Sequence, residues 1–233
     1  DASDPYDVFV SGRYAYVTTF SSSTLAILDI SNPAVPVQIS TTTFGSSAGT
    51  QRVQVVGRYA YVINGTGGTM VIVDVSNPAS PVKMSTTSFG SSQAADVYVS
   101  GRYAYVAAPP SASLGSLVVV DIANPASPTK VATTTLVAPG SSPDSIYVSG
   151  RYAYVTERGF NRLVAFDVAV PSAPVQIASV SLPTVIGTPS DVVISGRYAY
   201  LLDYGDDMFM VVDVRGIETG ALLAHSADVG GLQ

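Results

Sequence analysis

Gly12-Arg13-Tyr14-Ala15-Tyr16 is the stretch that decides the fold, because the chain spells it five times. The copies begin at Gly12, Gly57, Gly101, Gly150 and Gly196, at spacings of 45, 44, 49 and 46 residues. A second marker keeps register with the first: an aspartate closes an apolar run at Asp29, Asp74, Asp121, Asp167 and Asp213. Turns follow it, written Ser31-Asn32-Pro33, Ser76-Asn77-Pro78 and Ala123-Asn124-Pro125, then degraded to Val170-Pro171 and replaced by Arg215-Gly216-Ile217. Two co-registered markers in five copies define a repeat architecture.

Each unit reads as four short strands, A to D. In the first these are Asp7 to Val10, Arg13 to Thr19, Leu25 to Ile30 and about Val37 to Thr43. The segments are rich in Val, Ile, Tyr and Thr and bounded by Gly, Ser, Asn and Pro, which favours strands over helices. Strand C is apolar at nearly every position, as in Met70-Val71-Ile72-Val73, so a sheet buried on both faces is expected. Strand D carries Ser and Thr, as an outer strand should. Four antiparallel strands repeated at this period describe the blade of a β-propeller. The expectation is an all-β, five-bladed propeller in one domain, 1–233, with blades at about 1–45, 46–90, 91–138, 139–184 and 185–233. Ala221 to Val229 is long enough to supply the fifth strand D, so each blade is contiguous and no clasp joins the termini. Blades one and five should then meet by side-chain packing, the seam most prone to open.

Composition narrows the function. The 233 residues are 47% hydrophobic and only 12% charged, with mean hydropathy +0.34, which excludes a disordered chain. Eleven basic against 17 acidic residues give a net charge of −6, the wrong sign for nucleic acid or an anionic membrane. The apolar runs fall far short of a membrane span. With no cysteine and a single histidine, His225, thiolate zinc sites, Cys nucleophiles and multi-His metal sites are excluded, and a Ser-His-Asp triad is disfavoured. There is no Gly-rich phosphate loop, HExxH motif or GxSxG elbow. No cofactor is expected, and a monomer is.

The pattern Val-Ser-Gly-Arg-Tyr-Ala-Tyr-Val, then an apolar run ending in Asp-Val-Ser-Asn-Pro-Ala-Ser-Pro-Val, resembles the LVIVD repeat, which Val71-Ile72-Val73-Asp74 nearly spells. Tyr16-Val17-Thr18 and Tyr154-Val155-Thr156 are similar to the YVTN-type propellers of microbial surface-layer proteins. The resemblance implies a secreted or surface-exposed bacterial or archaeal protein. It carries over no catalytic residue, because such proteins share no common reaction.

The repeated Arg and Asp read first as structural. They lie 16 residues apart in four units and 19 in the third, which places each Arg opposite or close to its Asp across strands B and C. A blade staple is one reading of these pairs; a five-fold ligand site is the other. The ten markers cancel, so the whole net charge lies outside them.

Function is expected on the face where the copies diverge, that of the B–C and D–A loops. The chain is read as a non-catalytic propeller binding a protein or carbohydrate there; a glycan hydrolase or lyase and a structural spacer module are the alternatives. Asp7, Arg52, Asp96, Ser145 and Asp191 occupy one slot at the start of strand A, near the channel mouth. The carboxylates Asp7, Asp96 and Asp191 could serve acid–base chemistry, or each could bond a neighbouring backbone. Glu157, the loop aromatics Phe160 and Tyr204, and the acidic run Asp203, Asp206 and Asp207 complete the candidates. That run is an oxygen-rich loop and a Ca²⁺ candidate without EF-hand spacing.

Overall fold

The computed structural model describes residues 4–45, 49–90, 93–110, 114–136, 140–183 and 187–217, and the backbone of 223–227. It contains twenty strands and, among the described residues, no α-helix. The first blade is β1 (Pro5–Ser11), β2 (Tyr14–Thr19), β3 (Thr24–Asp29) and β4 (Val37–Thr43); the second is β5 (Thr50–Val56), β6 (Tyr59–Asn64), β7 (Thr69–Asp74) and β8 (Val82–Ser88). The third is β9 (Asp96–Ser100), β10 (Tyr103–Ala108), β11 (Ser116–Asp121) and β12 (Thr129–Thr135). The fourth is β13 (Pro143–Ser149), β14 (Tyr152–Glu157), β15 (Arg162–Asp167) and β16 (Val175–Ser181). The fifth is β17 (Pro189–Ser195), β18 (Tyr198–Asp203), β19 (Met208–Asp213) and β20 (Leu223–Ala227). Each blade is one antiparallel sheet in chain order, and β20 pairs with β19, so the fifth blade is contiguous as expected. The protein is an all-β, five-bladed propeller, and among the described residues no clasp joins the termini.

Two local readings need correction. Strand B begins at Tyr14 rather than Arg13, so Tyr14 stands directly opposite Asp29 while Arg13 lies close to it as expected, and the same arrangement recurs in all five blades. The A–B turn takes the Arg out of strand B, because its Gly sits at φ near +60°. Strand A of the first blade also begins at Pro5, two residues earlier than Asp7.

The core lies between blades. Tyr16, Leu25 and Ile27 project from blade one into Val53, Val55, Val62, Val71 and Val73 of blade two. The same interdigitation recurs between blades two and three, three and four, and four and five. Strand C contributes to both sides, which is why it reads as continuously apolar. The outer rim adds a polar latch: Ser40 Oγ donates to the Pro78 carbonyl at 2.6 Å, Ser85 Oγ to Pro125 at 2.7 Å and Thr134 Oγ1 to Pro174 at 3.4 Å, each reaching the C–D turn of the next blade.

The seam between blades five and one departs from expectation. Among the described residues no buried cluster joins them, and Val8 and Val10 are 58% and 56% exposed, where their counterparts Val53 and Val55 are 5% and 6% exposed.

The A–B glycines are at φ +59° or +60° with open space around the missing Cβ, so substitution acts through backbone strain alone. Gly150→Ala should therefore lower unfolding free energy by about 1–2 kcal/mol, read from the urea midpoint at unchanged slope.

Candidate functional site

The invariant and variable faces divide the chemistry. On the invariant face Arg13, Arg58, Arg102 and Arg151 pair with Asp29, Asp74, Asp121 and Asp167, and Arg197 pairs with Asp213 at 3.2 Å. Each Arg also lies over the ring of the Tyr that follows it, 4.7–5.5 Å from the centroid. The other oxygen of each Asp accepts the N–H two residues on, at 2.9–3.0 Å, fixing the start of the C–D turn. In the fifth blade Arg215 adds a second guanidinium to Asp213, at 2.7 Å. These carboxylates have their partners within the blade. They are staples.

Hydrogen bonding to Arg13 and Arg58 holds Asp29 and Asp74 down to about 2, and Arg215 does the same for Asp213. Asp121 and Asp167 are lowered by Arg102 and Arg151.

The variable face carries a cavity of about 260 Å³. Two slots of the repeat build it. The residue preceding the Asp7 slot supplies Tyr6, Gln51, Ala95 and Asp144; the first residue after strand B supplies Phe20, Gly65, Pro109 and Arg158. Arg52, Thr66, Gln93, Ala94 and Ser142 fill the wall. Tyr6 and Phe20 stack with centroids 5.9 Å apart, and the Arg52 guanidinium lies 5.8 Å from the Tyr6 centroid. Arg158 closes one side by pairing with Asp144 at 2.8 Å. The fifth blade's counterparts, Ser190 and Tyr204, do not line the cavity, and Tyr204 is 81% exposed.

Beneath the cavity the Asp7 slot converges on Arg52. Asp7 is 4.0 Å from its guanidinium, and although burial opposes the charge, Asp96, Asp7 and Asp191 outweigh it and raise Arg52 above its usual value. Asp7 also accepts the Val53 N–H of the next blade at 2.9 Å, and Asp96 accepts that of Ile146 at 2.9 Å. The slot thus ties blade to blade while gathering charge. Ser145 Oγ lies 2.9 Å from Asp96 and 3.0 Å from Asp191, so one hydroxyl bridges two carboxylates. Burial pushes Asp96 up to about 6, against the pull of Arg52; burial also raises Asp144, against Arg158.

The remaining candidates lie apart. Glu157 is fully buried and accepts from Ser141 and Arg162, bracing the base of its loop. Phe160 is half exposed beneath the Arg162 guanidinium, 5.3 Å from its centroid. Asp203 is buried and accepts the N–H groups of Thr188, Gly205 and Asp206 at 2.9–3.2 Å, and Asp206 accepts that of Gly187 at 3.2 Å. Asp207 is exposed with φ 51°. Backbone donors around Asp203 organise this loop as a turn, and among the described residues no three metal-ligating side chains converge. The sequence signal for the cavity was available in the two slots, one just before the Asp7 slot and one just after strand B, whose chemistry changes in every copy.

The fold and this site define a propeller with an invariant stapled face and a divergent polar face. The LVIVD-repeat family profile matches residues 3–43, 48–87, 91–135, 140–181 and 186–215. The chain belongs to the LVIVD-repeat family. No curated protein matches it significantly. Among solved structures it is similar to a protein from Lactobacillus plantarum, at 16% identity and TM-score 0.80, covering 95% of this chain and 70% of that one. It is similar to the periplasmic gluconolactonase of Pseudomonas aeruginosa, at 18% identity and TM-score 0.77, covering 94% and 68%. Hydrazine synthase from Kuenenia stuttgartiensis follows at 15% identity and TM-score 0.68, covering 94% and 70%. At these identities the likeness is one of fold.

Two pH effects of opposite sign follow. Asp29, Asp74 and Asp213 ionise near 2 rather than 3.8, so their stabilisation is complete above about pH 4 and lost as the pH falls toward 2. Arg58→Ala should move the acid-unfolding midpoint of the circular-dichroism signal upward. Asp96 ionises near 6, so folding disfavours its charged form and stability declines as the pH rises from 3.8 through 6. Asp96→Asn should abolish that decline in urea melts across the same window.

Proposed function

We propose that the protein is an extracellular binding propeller whose variable-face cavity takes a neutral, polyhydroxylated glycan segment. One observation carries the reading: a polar cavity on the divergent face whose stacked Tyr6–Phe20 pair lies beside Gln51, Gln93, Asp144 and Arg158. An aromatic plane flanked by planar amide, carboxylate and guanidinium groups suits a sugar ring, whose C–H face stacks while its hydroxyls exchange hydrogen bonds. The local charge argues against an anionic ligand. Arg158 is answered by Asp144, and Arg52 by Asp7, Asp96 and Asp191, leaving no cation to spare for a phosphate or carboxylate. Placement outside the cell is supported by composition, with 49 Ser and Thr against 2 Lys and no cysteine, and the acidic balance speaks against nucleic acid and anionic membranes.

A catalytic reading has one observation in its favour. Asp96, pushed up to about 6, shares the Ser145 hydroxyl with Asp191, an acid beside a second carboxylate. One similar structure is a gluconolactonase, so lactone or glycoside hydrolysis is the activity to assay.

A glycan array followed by titration calorimetry tests the binding reading. A neutral oligosaccharide should bind, and Tyr6→Ala and Arg158→Ala should each weaken it about tenfold or more, whereas Phe160→Ala should not. Binding restricted to sialylated or phosphorylated glycans would refute the charge argument. Turnover of lactones or glycosides that Asp96→Asn abolishes would replace binding with catalysis.

A further inference from the structure

Every blade has two different apolar faces, and among the described residues one of each is left without a partner. The trailing face presents a Tyr from strand B and two apolar side chains from strand C; the leading face presents alternate Val-type residues of strands A, B and C. Four buried clusters join trailing to leading faces from blade one through blade five. The leading face of blade one is unmatched: Val8 and Val10 are more than half exposed, and Val17 and Leu28 are half-buried where Val62 and Val73 are fully buried. The trailing face of blade five is unmatched in the complementary way. Leu202 is 51% exposed where Ile63 and Ala107 are fully buried. Phe209 and Val211 are half-buried where Leu25 and Ile27 are fully buried.

These faces would cover each other if the five blades closed on themselves, and among the described residues they do not. β1 packs on β5, β5 on β9, β9 on β13 and β13 on β17, but β1 and β17 are not among the closely packed strand pairs. The five blades superpose on part of longer chains. Structures that superpose on 94–95% of this chain are matched over only 68–70% of their own length, and the rest amounts to about two units of this repeat. We infer that the two end faces are a docking site for two further four-stranded blades of the same repeat, which complete the ring. A second copy of the chain does not fit, because five blades cannot enter a gap of about two. A head-to-tail contact between copies would leave two end faces open on each pair, one at either end.

The chain contains no cysteine, so single thiols report on each face. In the chain as it stands, Val8→Cys should react with a maleimide at nearly the rate of a free thiol, while Val53→Cys should be protected about 100-fold or more. Appending a second copy of residues 46–138, blades two and three, to the C-terminus should protect Val8→Cys at least about tenfold and raise the melting temperature. Unchanged labelling with an unchanged melting temperature would overturn the inference. Two measurements need no extended chain. Oxidising the double variant Val8→Cys/Leu202→Cys should give no intramolecular disulfide; its formation would show that the five blades close on themselves. Sedimentation at labelling concentrations should give a monomer with Val8→Cys reactive; a discrete oligomer that protects it would make a second copy the occupant and sink the proposal.

Discussion

The interface between consecutive blades is the constraint on which the rest depends. No blade is a stable object alone, since a four-stranded sheet with two apolar faces has nowhere to hide either. Fully burying a Leu, Ile or Phe side chain stabilises by about 1.5–3 kcal/mol, and Leu25, Ile27, Met70, Ile72, Leu117, Leu163 and Phe166 all reach that limit between blades. The packing is directional. A Tyr in the middle of strand B always reaches forward, while the Val-type residues of strand A always receive from behind. That polarity makes the units stack in one order, and it leaves each end of the array with a different chemistry.

The staples do a smaller job, set by geometry. Each guanidinium is about half exposed, so its attraction to the carboxylate is screened. The carboxylate side is mostly covered and has two obligations: one oxygen meets the Arg, the other anchors the C–D turn. Losing the Arg leaves a half-satisfied group at the hinge of that turn. Because the next blade's C–D turn also receives the rim hydroxyls Ser40 and Ser85, a change in one blade's staple reaches its neighbour through the turn.

The fold was legible because its determinants repeat. Five copies of Gly-Arg-Tyr-Ala-Tyr fixed strand B and the A–B turn, and continuous apolarity fixed strand C between two sheets. The one-residue register offset was not legible, since it depends on the turn Gly lifting Arg13 and its equivalents off the strand. The rim latch was hidden too: Ser40 and Ser85 look like ordinary polar residues of an outer strand until the neighbouring turn is placed beside them. The candidate site was half visible. The Asp7 slot stood out because its residues are charged, yet Tyr6, Gln51 and Asp144, one position earlier, face the cavity. Glu157 and Asp203 illustrate the converse, acidic loop residues whose neighbours Ser141, Arg162 and the backbone of 205–206 occupy them.

Repetition also explains where this site stands. A residue facing the core of one blade must suit the next blade, so the two are coupled and change together. Tyr6, Gln51, Ala95, Asp144 and Ser190 occupy a slot free of that coupling, because they project from the start of strand A past the packed layer. The same holds for Phe20, Gly65, Pro109, Arg158 and Tyr204 at the end of strand B. Chemistry can diverge in both slots without disturbing the stack. The Asp7 slot behind them is only partly free, since Asp7 and Asp96 also hold the Val53 and Ile146 N–H groups of the next blade. Arg52 answers three carboxylates at once, so replacing it by a neutral residue would leave Asp96 more costly to ionise. The electrostatics of the cavity floor therefore belong to the scaffold, and the chemistry that varies from blade to blade belongs to the residues of the two free slots.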